Sequence, residues 1–364
     1  MLRVPEQGCL VIADVSGYTG VLADTELAHA HDALSDLIQT VVSSLRPQFR
    51  LAKLEGDAAF AYAVTERIDG SMLLDTFEAT YFAFRQRLES ISRATTCPCN
   101  ACVMIPALNL KLLAHHGSFV RERLYGNEEL TGRDVIIIHR LLKNTVVEKA
   151  GLSGYALFTD ACLAAASLDP GTLGLLPHRE SYERLGEVIA WVQDLDATWR
   201  RMRELRRVRL SDRQTDIRVE GLIVAEPATI WAHVTDPAQR PHWVPGIERV
   251  DEETAGSGGR RGIGTTNHCM HGAGVTIEEV LDWRPFEYFT IRSTLPAVGS
   301  GLTTYELTPS EGGTLFTIRF ERPRSASARA AWDGGIREMI AGMYRQSMAQ
   351  LPALLSREAG PPVA

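Results

Sequence analysis

The sequence predicts an α+β protein of two domains. Three observations carry that prediction. Two apolar runs within the first sixty residues each end in an aspartate and are separated by a helical pattern. The last third alternates as antiparallel strands and closes on a long amphipathic helix, and a basic stretch lies between the two parts.

The first apolar run, Cys9-Leu-Val-Ile-Ala-Asp14-Val-Ser-Gly-Tyr-Thr19, reads as a strand that meets a carboxylate and then a small-residue turn. From Thr25 to Leu45, Leu27, Leu34, Leu37, Ile38, Val41, Val42 and Leu45 recur at helical spacing. Leu51-Ala-Lys53-Leu-Glu-Gly56-Asp57-Ala-Ala-Phe60 then reads as a hairpin with Gly-Asp at its tip. A strand, a helix and a hairpin in this order bring Asp14 and Asp57 together. Paired carboxylates at strand ends are a natural seat for two divalent metals acting on a phosphoryl group. The competing structural roles are a helix N-cap for Asp14 and a turn residue for Asp57.

Composition narrows the class. At 364 residues, 45% apolar and 23% charged, the chain is long enough for two ordinary globular cores. A net charge of −7 gives no reason to expect nucleic acid as a partner, and no apolar run is long enough for a membrane span. With no secretory signal in view, a cytoplasmic location is expected and the six cysteines do not describe a disulfide framework. Three of them cluster as Cys97-Pro-Cys99-Asn-Ala-Cys102. Thiolates so spaced can hold zinc, with His115 or His116 as a fourth ligand; a reduced cysteine-rich loop is the alternative.

Strand-Asp, long helix and Lys-x-x-Gly-Asp hairpin together resemble the catalytic domain of class III nucleotide cyclases, with its ferredoxin-like fold. The likeness continues through Leu110-Lys-Leu-Leu-Ala-His-His-Gly117, similar to a central strand ending in a glycine turn. It extends through Leu130-Thr-Gly-Arg-Asp-Val-Ile-Ile-Ile-His-Arg140, similar to the glycine-started helix, and through the closing strands near Tyr155–Asp160 and Tyr182–Gly186. The resemblance implies that Asp14, the Val15 carbonyl and Asp57 hold Mg²⁺ or Mn²⁺. Ser16, Gly17, Tyr18 and Thr19 would open a helix toward phosphate oxygens. It assigns Lys53 and Glu129 to adenine and Arg140 to transition-state charge on the α-phosphate. It also implies a homodimer, because the family's site forms between two such domains. Two departures stand out. Ile136 occupies the place of an expected asparagine, and the segment after Leu185-Gly186 reads Glu-Val-Ile-Ala-Trp, without the lysine that reaches the triphosphate. One lost donor of this kind costs about 3 kcal/mol of transition-state stabilisation.

The expected division is residues 1–197, a basic linker helix over 198–214, a second domain over 215–357 and a tail over 358–364. In the second domain, Ile217 to Val224 alternates and Pro227 opens a short helix. Strand candidates follow at 246–252, 264–271, 275–283, 288–294, 303–307 and 314–321, and a helix over 328–355 offers Ile336, Met339, Ile340, Met343, Met348 and Leu351 on one face. This order, with Trp231 and Trp243-Val-Pro, resembles the START-like helix-grip fold of polyketide cyclases and lipid-transfer proteins. The resemblance implies a pocket between sheet and terminal helix for a hydrophobic small molecule or lipid. Trp231, Trp243, Met270, Trp283, Phe289 and Tyr305 are the candidate lining, with core filling as the alternative. His268 and His271 have no orienting carboxylate nearby in sequence.

Three functional readings emerge: a nucleotidyl cyclase with a ligand-sensing domain, a ligand-binding protein with a lapsed cyclase domain, and a polyketide-type enzyme working through the C-terminal domain. Ile136 favours the second over the first. A carboxylate or tyrosine buried in the C-terminal pocket would favour the third.

Overall fold

The chain folds as two units, Met1–Leu205 and Arg206–Ala364. The computed structural model describes residues 4–17, 27–46, 48–94, 104–124, 127–272, 274–295 and 298–358. Tyr18, Thr19, Cys97, Cys99 and Cys102 lie outside the described residues, so the phosphate turn and the cysteine cluster receive no structural account.

The first unit is built on β1 (Glu6–Ser16), followed by α1 (Leu27–Leu45), β2 (Arg50–Glu55), β3 (Ala58–Val64) and α2 (Gly70–Ala94). Next come β4 (Asn109–Leu124), β5 (Asn127–Thr131), α3 (Arg133–Leu141), α4 (Val146–Ala150), β6 (Tyr155–Thr159) and α5 (Asp160–Ala165). The unit closes with β7 (Leu176–Tyr182), β8 (Gly186–Asp194) and α6 (Leu195–Glu204). The strand order is β2-β3-β1-β4-β6-β8-β7, with β5 added on β4. Only the β4–β6 contact is parallel among the described pairings of this sheet.

β1 reads as a continuous apolar run because helices cover both faces of the sheet it occupies. Val11 and Ala13 join Leu37, Phe77 and Leu112 in one core cluster, while Leu10 and Ile12 join Phe60, Leu113 and Ile138 in the other. The single-residue alternation of a strand thus feeds two cores at once. The basic stretch is helical only as far as Glu204, and the chain beyond it is not helical through Leu210.

One expectation changes in β4. Gly117 does not end the strand in a turn; the strand runs on to Leu124. The Asp134 side chain lies directly over Gly117, where it accepts from the Ser118 backbone N–H at 2.7 Å and the Ser118 hydroxyl at 3.2 Å. A Cβ at position 117 would stand 2.4 Å from Asp134 Cγ. Here glycine makes room for a carboxylate that docks α3 on the sheet.

The second unit comprises β9 (Thr215–Ile223), α7 (Pro227–Thr235), α8 (Arg240–Trp243), β10 (Arg249–Glu253), β11 (Thr266–His271), β12 (Gly274–Arg284) and β13 (Tyr288–Leu295). It continues through β14 (Gly299–Ser310), β15 (Gly313–Glu321), α9 (Ala326–Ala331) and α10 (Arg337–Glu358). Its sheet has the order β10-β11-β12-β13-β14-β15-β9, and every described pairing is antiparallel. Between α9 and α10 the helix loosens into a π segment, Trp332–Ile336, where Gly335 takes φ +135°. Asp216 on β9 pins both sides of this break, accepting from Trp332 Nε1 at 2.8 Å and from Arg337 Nε at 3.0 Å. No helix among the described residues is long and apolar enough to cross a membrane.

The crowding at Gly117 sets a stability test. Gly117→Ala should displace Asp134 and destabilise the protein by about 2 kcal/mol, within the usual cost of overpacking. A denaturant midpoint unchanged from the parent would show that the Asp134 contact does not dock α3.

Candidate functional site

Asp14 is cross-strand neighbour to Ala58 on one side and to Lys111 on the other. Asp57 precedes Ala58, and its carbonyl accepts from the Val15 backbone N–H at 3.2 Å. The two acids therefore meet at the end of β1, as the sequence predicts. Burial, and after it the charge on Asp14, pushes the Asp57 carboxyl up from its ordinary value; Lys111 works in the opposite direction. Ser16 ends β1 and Gly17 follows it.

The same register places a lysine on the acids. Lys111 Nζ stands 2.9 Å from Asp14 Oδ2 and donates to the Leu142 carbonyl at 3.0 Å. Both partners of the ion pair are largely buried, so the ammonium is a fixed part of the site. Two divalent cations need both carboxylates free as oxygen donors. Asp14 instead carries an internal cation, and no group of three or more His, Cys, Asp or Glu side chains suited to a metal occurs among the described residues. In this arrangement a metal at Asp14 would compete with the Lys111 ammonium for the carboxylate. Lys111 sits in plain view within the Leu110-Lys-Leu-Leu-Ala run. Its signal was a lone charge in an apolar strand, which acquires meaning only with the register.

Lys53 and Glu129 also come together, Nζ to Oε2 at 3.3 Å, on β2 and β5. Lys53 further pairs with Glu55 at 3.1 Å, and Glu55 faces His139 Nε2 at 3.1 Å. Burial pulls the lysine pKa down, yet its bonds to Glu55 and Glu129 prevail and hold it above the usual value. His139 Nδ1 lies 2.7 Å from the Val135 carbonyl within α3. A polar chain Glu129–Lys53–Glu55–His139 thus links the expected base-recognition pair to the helix carrying Arg140. Arg140 is exposed, and with Val135, Ile136, His139 and Lys143 it lines an open hollow of about 320 Å³. Ile136 points outward, 52% exposed, and offers no hydrogen bond where the resemblance asks for an amide.

His115 has no nitrogen to spare for zinc in this arrangement. Its Nδ1 lies 2.9 Å from Thr159 Oγ1 and its Nε2 lies 3.2 Å from Asp134 Oδ1. Burial dominates its surroundings and pushes its pKa down despite Asp134. His116 Nε2 is engaged with the Thr65 carbonyl at 3.0 Å.

In the second unit a cavity of about 510 Å³ opens between the sheet and α10. Ile291, Leu295 and Phe320 from the strands face Ile340 and Met343 from the helix, with Val244–Ile247 along one side. Of the six predicted lining residues, Tyr305 alone belongs to its described wall. Trp231, Trp283 and Phe289 pack on one another instead, with Trp231 edge-on to Trp283 at 4.7 Å and to Phe289 at 5.6 Å. Trp243 packs against Phe316, and Met270 on β11 is half-buried outside the cavity wall. Trp231, Trp283 and Phe289 fill the core, while Tyr305 and Phe320 are the strand aromatics that line the cavity. His271 reaches the wall with Nδ1 on the Gly246 carbonyl at 2.9 Å. A carboxylate, Glu278, and two tyrosines, Tyr305 and Tyr344, are buried within it.

Comparison with known proteins adds the following. Residues 34–150 match a family model described as "Protein of unknown function (DUF2652)", and residues 214–356 match one described as "Polyketide cyclase / dehydrase and lipid transport". An uncharacterised Mycobacterium tuberculosis protein, Rv2561/Rv2562, is 33% identical over 163 residues, which are 44% of this chain and 73% of that protein. Among solved structures, the guanylyl cyclase Cya2 is 10% identical with TM-score 0.41, over 53% of this chain and 93% of that one. The adenylyl cyclase CyaB from P. aeruginosa is 14% identical with TM-score 0.35, over 53% and 97%. Protein MLL2253 from Mesorhizobium loti is 22% identical with TM-score 0.32, over 39% and 96%.

Two tests follow from the acid pair and its lysine. Lys111→Ala should gain Mn²⁺ binding relative to the parent, read by electron paramagnetic resonance of free Mn²⁺; equal affinity in both proteins would mean that Lys111 does not compete for the acids. Because the folded Asp57 pKa is raised, its contribution to stability is present below the unfolded value and is lost as pH rises through the folded one. Asp57→Asn should therefore be more stable than the parent at neutral pH, with the gap closing below about pH 4. A gap independent of pH would assign the effect to packing.

Proposed function

The chain belongs to the family of the M. tuberculosis protein Rv2561/Rv2562, and we propose that it is a ligand-binding protein rather than a dedicated nucleotide cyclase. The C-terminal unit would hold an apolar small molecule or lipid. The N-terminal, cyclase-like unit would bind a purine nucleoside triphosphate, ATP favoured, through Lys53 and Glu129. The observation that carries this reading is the cavity of about 510 Å³ under α10, within the size range of small-molecule sites and walled mainly by apolar side chains. The match of residues 214–356 to a family described by polyketide cyclisation and lipid transport supports it.

A second reading retains turnover to a cyclic nucleotide by a homodimer. The Lys53–Glu129 contact and the convergence of Asp14 with Asp57 favour it. Lys111 on Asp14 and Ile136 on α3 weigh against it. When bound, Mg²⁺ or Mn²⁺ would supply charge neutralisation at the phosphates, and Lys111 would first have to leave Asp14. Glu278 in the cavity raises the polyketide-type enzyme as well, but one of its oxygens is already committed to Arg240.

Purified full-length protein should bind the neutral apolar dye Nile red with a fluorescence increase. Met343→Trp, which fills part of the cavity from α10, should weaken that binding by at least about tenfold while circular dichroism stays unchanged. Equal binding by a folded Met343→Trp protein would remove the cavity as the site. Cyclic product formed from ATP and Mn²⁺ at a rate above the protein-free control would favour the second reading.

A further inference from the structure

The polar floor of the C-terminal cavity specifies more than an apolar guest. Arg240 and Glu278 form a buried ion pair, Nη2 to Oε1 at 2.9 Å, with side chains 5% and 7% exposed. Arg240 Nη2 also reaches the Tyr305 hydroxyl at 3.3 Å, and Tyr305 Oη lies 3.0 Å from Tyr344 Oη. On β12, Thr276, Glu278 and Val280 share the inward face, and Glu278 belongs to the cavity wall.

Hydrogen-bond accounting leaves three groups unmatched here, one of them Arg240 Nε, on a residue outside the cavity wall. Glu278 Oε2 is buried and accepts no bond from a described protein nitrogen or hydroxyl. The Cys269 thiol, a weak donor, interacts with the Glu278 carboxylate, and burial and then the Glu278 charge push it up to about 12. The two tyrosine hydroxyls carry two protons and share one between themselves, so one remains to be donated elsewhere. The wall residues Glu278, Tyr305 and Tyr344 therefore present one strong acceptor and one donor, with Arg240 behind them on Glu278 and Tyr305. Such groups are costly to leave unmatched in an apolar surrounding. The Arg240 and Glu278 charges cancel, so the floor asks for a neutral partner.

We propose that the cavity selects a neutral apolar molecule ending in a hydroxyl, whose O–H donates to Glu278 Oε2 while its oxygen accepts from the Tyr305–Tyr344 pair. An ether can only accept and a carboxylate adds a charge beside Glu278. A protonated amine can donate but leaves the tyrosine proton unmatched and adds a positive charge. This rests on the cavity being a ligand site, and the test separates the two claims.

Full-length protein is loaded with Nile red, and displacement is measured with dodecanol, methyl dodecyl ether, dodecanoate and dodecylamine at neutral pH. Dodecanol should displace the dye at a concentration about tenfold or more below that needed for any of the others, the range for a hydrogen bond to a charged group. Glu278→Gln should bring alcohol and ether within about threefold of each other, since the amide is a weaker acceptor. Equal displacement by alcohol and ether in the parent protein overturns the hydroxyl assignment while leaving the apolar site standing. A preference for dodecanoate overturns it in favour of Arg240 as the reader of an anion, and a preference for dodecylamine overturns the requirement for neutrality. Full alcohol preference surviving in a folded Glu278→Gln protein removes Glu278 from the contact. Failure of all four, with no dye bound at the outset, overturns the ligand site itself.

Discussion

Asp14 stands opposite Lys111 because eleven successive residues of β1 pair in register with β4, and much of the first unit's chemistry follows from that alignment. β1 is also paired along β3, so it cannot slide on one side without breaking the other ladder. The register fixes three things together: the burial of alternate side chains in two cores, the approach of Asp57 beside Ala58, and the lysine at the acids. A pair of half-buried carboxylates repel each other and need a counter-charge. This protein supplies one covalently, on a neighbouring strand. The ammonium is held further by the Leu142 carbonyl just beyond α3, so the acids are tied to the helix that carries Arg140.

The polar contacts of the first unit share this self-sufficiency. Lys53 meets Glu129 and Glu55, Glu55 meets His139, and Asp134 meets Ser118 and His115. A purine arriving at Lys53 and Glu129 would exchange an existing contact for new ones, so its net gain is the difference between two similar sets of hydrogen bonds. Phosphates would meet Lys111 only by competing with Asp14. These exchanges favour modest affinity and support the reading of this unit as a binding module.

Much of the strand and helix order was legible because period-two and helical patterns are local, but α2 was not read and the segment at Tyr182–Gly186 is largely the turn between β7 and β8. The meeting of Asp14 with Asp57, and of Lys53 with Glu129, was legible through the order of motifs in a known family. Lys111 was not, since the meaning of a charge within a strand depends on what lies across from it. The cavity was legible in outline: of the helix face chosen to close it, Ile336, Met339, Ile340 and Met343 belong to the described wall and Met348 and Leu351 do not. Its wall was misread because alternation cannot tell an aromatic residue that lines a void from one that fills it. Trp231, Trp283 and Phe289 satisfy one another, so they occupy the space that a guest would have needed. Glu278 lay unremarked within a strand of alternating residues, beside the equally acidic but exposed Glu279.

The break before α10 bears on how a guest enters. The strands of the second unit are joined by backbone ladders, whereas α10 meets the sheet through side chains and is tethered at its start by Asp216. A glycine at positive φ already interrupts the regular helical bonding there. A tilt of α10 about that tether would cost side-chain contacts and leave the backbone ladders of the sheet intact. On the proposed reading, a guest would load by loosening the contacts of Ile340, Met343 and Tyr344 with the wall, and the frame of the sheet would stay intact.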